Sequence, residues 1–392
     1  MTAIVGSTPE RIQKLVDEIN QQVKECAARI IADAPGKEQP FIKGLYDRAY
    51  HYLTDGGKRC HAQTVMLAYR AVGGREHSAI LQVASGFQFY HHYTMVHDDV
   101  YDDDKNRRNR PTDHEVFRRY FVNEGNAHDQ QKAQKIVDNP LFSGNAERKA
   151  AVAALVYGKI IHAFAFESLL AAPFEKEKLY AVMRMFNWHE FYDNAGQMRD
   201  VLLEGETVVD PEDCLQTAYF KSGREYHACA TAGAILGGAT ASQLEALQEW
   251  AACFGTAYQL QDDLEDLEPD SEKGRGRGVG ADIITRKPTY LLMMALRQAK
   301  AKDKEILTGW LNHNGTDNAD MNRVMESVRN SGAVETCRAK VAAYLEQGAN
   351  ALRNAEPRLD KEVVDQFDEL TRYIFSRTYW KRALPETLSV VG

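Results

Sequence analysis

Residues 87–103 read Phe-Gln-Phe-Tyr-His-His-Tyr-Thr-Met-Val-His-Asp-Asp-Val-Tyr-Asp-Asp. An apolar stretch, Phe87 to Val96, runs into a carboxylate cluster, Asp98, Asp99 and Asp102. The arrangement recurs at Ala251 to Leu260, followed by Asp262, Asp263 and Asp266. Both clusters have the spacing D-D-x-x-D. If the apolar stretches are helices, the first and last aspartates of each cluster share a face, because they lie one turn apart. Three carboxylates this close repel one another. A solvated helix end explains one such cluster. Two clusters, each at the mouth of an apolar helix, read as facing walls that hold divalent cations. Hard cations such as Mg²⁺ take carboxylate oxygens, keep waters and bridge to phosphate oxygens. The pair of walls therefore points to diphosphate chemistry.

The same periodicity extends outward over the chain of 392 residues. Only 11 prolines occur, and apolar residues recur at three- and four-residue spacing, which is the helical pattern. The spacing predicts helices over 9–33, 40–54, 58–73, 77–101, 113–122, 147–171, 176–204, 211–236, 241–266, 282–301, 303–313, 319–330, 333–354 and 360–382. Ser7-Thr8-Pro9-Glu10 supplies the first start signal. Two segments read as loops: 123–146, polar and turn-rich, and 269–281, with Gly274-Arg-Gly276-Arg-Gly278. Neither separates one kind of chemistry from another. The expected architecture is all-α, a single domain over 1–392 built as a bundle of long antiparallel helices around a central cavity, with 123–146 as an inserted loop.

Charge and cysteine usage narrow the functional classes. The formal net charge of −8 argues against general nucleic-acid binding. Six cysteines occur without a C-x-x-C pair and read as small buried hydrophobes in a reducing compartment. Met1 to Gly6 does not read as a signal peptide. No run of about 18 apolar residues was found on this reading, so no membrane span and a cytoplasmic location are expected.

Two basic elements complement the aspartates. Lys105-Asn-Arg107-Arg108-Asn-Arg110 follows the first cluster, and guanidinium groups bind phosphate oxygens bidentately. A charge run of this kind is usually a surface salt-bridge network, but the neighbouring carboxylates exceed what these arginines neutralise in one geometry. Gly56-Gly57-Lys58-Arg59 opens a helix, where free amides favour an anion. That makes two phosphate sites, one metal-bound and one metal-independent, and hence two phosphorylated substrates.

These blocks resemble the trans-isoprenyl diphosphate synthases, the farnesyl, geranylgeranyl and longer polyprenyl diphosphate synthases. Gly56-Gly57-Lys58-Arg59 is similar to the family's G-G-K-R. His97-Asp98-Asp99-Val-Tyr-Asp102-Asp103 with Arg107-Arg108-Asn109-Arg110-Pro111 is similar to its first aspartate-rich motif. Gly196-Gln197-Met-Arg-Asp200, Lys221-Ser222, Tyr258-Gln259-Leu-Gln261-Asp262-Asp263-Leu-Glu-Asp266 and Lys287-Pro-Thr289 match its later blocks in order. The resemblance covers about residues 40–300 and implies the isoprenoid synthase fold and a homodimer. It implies head-to-tail condensation of isopentenyl diphosphate with an allylic diphosphate, supported by three Mg²⁺. Asp98, Asp102 and Asp262 are then the direct metal ligands, and Asp99, Asp263 and Asp266 complete the walls through waters. Arg107, Lys221 and Lys287, with Ser222, hold the allylic diphosphate. Lys58, Arg59, His91 and Arg108 hold isopentenyl diphosphate, and Gln259 faces the allylic substrate. His61 stands where the family usually has arginine; when protonated it still binds anion, which would make that affinity pH-dependent. Asn109, Arg286 and Arg277 also depart from the pattern, and none removes a metal ligand.

Other readings are weaker. His91, His92 and His97 do not form one ligand face along a helix, and no cysteine completes a zinc site with them. Loop 269–281 reads as a segment that closes over diphosphate. Tyr93 lies about a turn and a half before Asp98 and makes a floor for the growing chain, with Tyr90 as a second floor beneath it. In the family a bulky residue there goes with short products, here geranylgeranyl or farnesyl diphosphate. A class I terpene cyclase shares the fold and first motif, and a non-catalytic regulatory subunit shares the fold. The complete second motif and Lys58-Arg59 weigh against the first, and the full set of aspartates against the second.

Overall fold

The apolar periodicity becomes helix through most of the computed structural model, which describes residues 8–107, 110–124, 145–204, 206, 208–268, 279–312 and 318–375. The order is α1 (Glu10–Asp33), α2 (Pro40–Thr54), α3 (Cys60–Ala71), α4 (His77–Tyr101), the short strands β1 (Asn106–Arg107) and β2 (Arg110–Pro111), α5 (Asp113–Glu124), α6 (Asn145–Leu170), α7 (Lys176–Leu203), α8 (Pro211–Ala218), a π-helical turn (Tyr219–Gly223), α9 (Arg224–Gly237), α10 (Ala241–Glu265), α11 (Ala281–Ile284), α12 (Tyr290–Gln298), α13 (Ala301–Asn312), α14 (Asn318–Asn330), α15 (Ala333–Asn354) and α16 (Lys361–Phe375). β1 and β2 pair antiparallel, Asn106 opposite Pro111 and Arg107 opposite Arg110.

Local signals set the boundaries that matter for the cavity. Thr240 and Gln243 form a capping box that starts α10. Asp210 caps α8 with Pro211 in its first turn. Thr289 caps α12 through the Leu292 amide. Gly56 (φ 79°) and Gly57 (φ 118°) take left-handed backbone that makes the turn into α3.

α3, α4 and α10 are apolar on most of their circumference and lie at the centre, as helices of that composition must. α4 packs against α3 and α6, α9 against α3, α7 and α10, and α10 against α15. One cluster of buried side chains runs from Ile12 in α1 to Phe375 in α16. All six cysteines are buried free thiols. Gly158 lets α6 approach α4 closely: a Cβ there would lie 2.4 Å from the His97 ring.

Three expectations need correction. The segment read as one helix over 211–236 is broken by the π turn at 219–223. The helix expected over 282–301 is two pieces, because Pro288 has no amide to donate and disfavours helical backbone at Lys287. Third, α6 is long and apolar enough, by length and composition, to cross a membrane, the one such helix among the described residues. Its Ala154, Tyr157, Ile161 and Ala165 are buried in the core. Most of the loops at 123–146 and 269–281, and the end of the helix expected over 360–382, lie outside the described residues.

Candidate active site

α4 and α10 bring their carboxylates to a single cavity of ≈ 350 Å³, lined by Asp98 and Asp102 on one side and Asp262 and Asp263 on the other. The two sequence clusters thus share one space. Asp99 and Asp266 stand behind it. Asp99 is buried and accepts from Arg107 Nε at 2.6 Å. Asp266 accepts the Ala281 and Asp282 amides at 3.0 and 3.1 Å and so caps α11. Both therefore meet protein groups beside the walls.

Three cations face these acids. Lys221 Nζ lies 2.7 Å from Asp200 Oδ2 and 3.4 Å from Asp98 Oδ1. Lys287 Nζ lies 2.7 Å from Asp102 Oδ1 and 3.2 Å from Asp200 Oδ2. Arg107 spans Asp99, Asp98 and Asp104. The local backbone explains the reach. Lys221 sits in the π turn, a device common at functional sites. Lys287 sits in the break before Pro288, with its amide tied to the Asp282 carbonyl. Burial opposes ionisation of Lys221, and Asp98 and Asp200 overcome it, so its pKa is raised. Burial likewise pushes the Asp200 carboxyl up, and Lys221 and Lys287 reverse this and hold it below its usual range. Burial raises Asp99 to about 7 against the pull of Arg107.

The remaining expected residues divide. Lys58 lines the cavity with its ammonium 5.7 Å from the Tyr258 ring centroid. Arg59 is buried in left-handed backbone (φ 54°), and its guanidinium donates to Asn20 Oδ1 and the Leu53 carbonyl. It anchors the turn that presents Lys58. Arg108 lies outside the described residues. Ser222 Oγ donates to Gln259 Oε1 at 2.9 Å, and Gln259 Nε2 reaches Asp263 at 3.4 Å. Tyr93 lines the cavity, packed edge-on to His97 and His162. Tyr90 is wholly buried behind it, its hydroxyl donating to Asp193 Oδ2 at 3.1 Å.

Two site residues escaped the sequence reading. Asp193 lines the cavity, and burial, then the Glu225 charge, push its carboxyl up to about 8. With Gln197 and Asp200 it forms an i, i+4, i+7 stripe on α7, a spacing that could have exposed it. Glu225 is the other. It is buried and takes His91 Nδ1 at 3.2 Å and His61 Nε2 at 3.2 Å. Of the other histidines lining the cavity, His92 Nδ1 contacts the Gln88 carbonyl and His97 Nε2 contacts the Leu155 carbonyl.

A family model described as Polyprenyl synthetase matches residues 43–328. A short chain isoprenyl diphosphate synthase of Methanothermobacter thermautotrophicus is 28% identical over 265 residues, 66% of this chain and 68% of that protein. An octaprenyl diphosphate synthase of Haemophilus influenzae is 29% identical over 307 residues, 76% and 77% of the two chains. A solved geranylgeranyl pyrophosphate synthase of Corynebacterium glutamicum, complexed with isoprenyl diphosphate and magnesium, superposes with a TM-score of 0.78 at 20% identity, covering 92% of this chain and 99% of that one.

Proposed function

The chain belongs to the polyprenyl synthetase family, and from that premise we propose that its cavity joins isopentenyl diphosphate head-to-tail to an allylic diphosphate. The observation that carries this reading is the meeting of both aspartate walls with Lys221, Lys287 and Arg107 in one cavity. All-oxygen donors at Asp98, Asp102 and Asp262 fit Mg²⁺, with three ions as the expected complement. When bound, the ions stabilise the charge that builds on the departing diphosphate.

The chain's own groups do the rest. Asp200 positions Lys221 and Lys287, which with Arg107 grip the allylic diphosphate beside the first wall. Lys58 and His91, together with Arg108, hold the diphosphate of isopentenyl diphosphate. Ser222 fixes Gln259 against the allylic chain. The double bond of isopentenyl diphosphate attacks the allylic cation, and a proton leaves to the released diphosphate. Buried aromatic rings from α4 and α7 keep water from the cation.

The bulky Tyr93 ring in the cavity lining supports a short product, geranylgeranyl or the shorter farnesyl diphosphate. Exposed apolar side chains on α6 and α7, among them Val156, Trp188 and Phe191, support a homodimer. The continuous buried cluster supports a single domain. The test is incubation with Mg²⁺, isopentenyl diphosphate and dimethylallyl, geranyl or farnesyl diphosphate, with product length read by chromatography. Mg²⁺-dependent geranylgeranyl or farnesyl diphosphate is the expected result. Absence of any elongated product with all three primers overturns the reading.

A further inference from the structure

His61 on α3, His91 on α4 and Glu225 on α9 meet in the lining of the cavity that Lys58 also lines. Glu225 lies 3.2 Å from His91 Nδ1 through Oε1 and 3.2 Å from His61 Nε2 through Oε2. One carboxylate thus spans two imidazoles from two other helices. Burial opposes ionisation of Glu225, and His61 and then His91 overcome it and hold the carboxyl well below its usual range. An ionised carboxylate only accepts hydrogen bonds, so the nitrogen that each ring turns to it is one that carries a proton.

The three side chains differ in access. His91 keeps 27% of its side-chain surface exposed, against 10% for Glu225 and 6% for His61. His91 is therefore the member that meets a substrate. His61 is covered on both faces. The His91 ring stacks on one, with centroids 3.9 Å apart and 26° between planes, and the Tyr226 ring on the other, at 4.3 Å and 21°. The stack backs the His91 ring and limits its tilt. Which nitrogen of a histidine serves a ligand is set by the bond that the other nitrogen makes. With Nδ1 committed to Glu225, a substrate oxygen is met by Nε2. A phosphate oxygen only accepts, so His91 meets it as the imidazolium, with a negative group at each nitrogen.

We propose that Glu225 is a positioning residue for the second substrate: it fixes Nδ1 of His91, with the His61 ring as a brace, so that Nε2 donates to the diphosphate of isopentenyl diphosphate. The assignment rests on the condensation reading above. Glu225 acts through His91 and does not itself touch the substrate. Its negative charge is matched by the two imidazoles 3.2 Å away, so the tie to His91 outweighs repulsion of the diphosphate.

The test is initial-rate kinetics of the full chain with Mg²⁺ in excess, varying isopentenyl diphosphate and the allylic primer in turn. Glu225→Leu and Glu225→Met remove both acceptor oxygens, whereas Glu225→Gln retains one for His91. Circular dichroism checks the fold of each variant. In the Leu and Met variants KM for isopentenyl diphosphate is expected to rise at least about tenfold, with kcat within about threefold and the primer's KM unchanged. Glu225→Gln is expected to recover most of that loss. In a cycle with His91→Ala, the Glu225 change should add little, because its effect passes through that ring. A merely structural role would lower kcat or raise both KM values together. An unchanged or lower KM for isopentenyl diphosphate in either folded apolar variant overturns the assignment. So does a Gln variant as impaired as the apolar ones, or a loss that multiplies with that of His91→Ala. No elongated product from the wild type sinks the condensation reading and this assignment with it. Product formation with an unmoved KM sinks the assignment alone.

Discussion

At the residue scale, Asp193 and Tyr93 make opposite use of burial. Tyr93 keeps its hydroxyl protonated, since burial pushes its pKa well up. It serves as bulk. Tyr93→Ala should open the floor and lengthen the product, read as a shift of the chromatographic profile to longer prenyl diphosphates; an unchanged profile removes it as the determinant. Asp193 carries a carboxyl raised to about 8 from 3.8. The folded protein therefore binds more protons at this position than the unfolded chain between about pH 4 and 8, so this residue makes stability fall as pH rises through that window. Asp193→Asn should flatten the fall in denaturant midpoint over the same range. A slope identical to that of the wild type would show that the carboxyl titrates normally. The two aspartate clusters were legible from their spacing, whereas Lys221 and Lys287 were picked out only through the family resemblance; the structure puts them in one cavity. Glu225 was not, because its pairing with His61 and His91 joins helices α3, α4 and α9, and no local pattern carries that contact.

At the scale of elements, most helix bounds follow from apolar spacing, as for α1, α2, α4 and α15, none of which has a side-chain N-cap. The failures are where backbone departs from regular helix to serve the cavity. The π turn at 219–223 keeps the composition of a helix, so periodicity passed straight through it. Pro288 interrupts a segment whose flanking residues, Ile283-Ile284 and Leu291-Leu292-Met293, keep an apolar helical composition. Both departures deliver a lysine, Lys221 in one and Lys287 in the other. Close contact between α4 and α6 depends on Gly158. Gly158→Ala forces the His97 ring to move and should cost about 1–3 kcal/mol of folding free energy, measured by denaturant unfolding. A loss below the error of that method would mean that the two helices separate freely.

At the scale of the whole molecule, the exposed apolar side chains of α6 and α7 suit association of two copies. Trp188→Lys combined with Phe191→Lys should shift the sedimenting species from dimer to monomer; a monomeric wild type would reject the homodimer. The central claim concerns the two walls, which no single helix can form. The direct measurement is a double-mutant cycle on kcat/KM with Asp98→Ala and Asp262→Ala at saturating Mg²⁺. If the walls hold the same ions, each single change lowers kcat/KM by at least about 10²-fold, and the double variant falls little further. Losses that multiply in the double variant would show that the two clusters act independently and contradict the account.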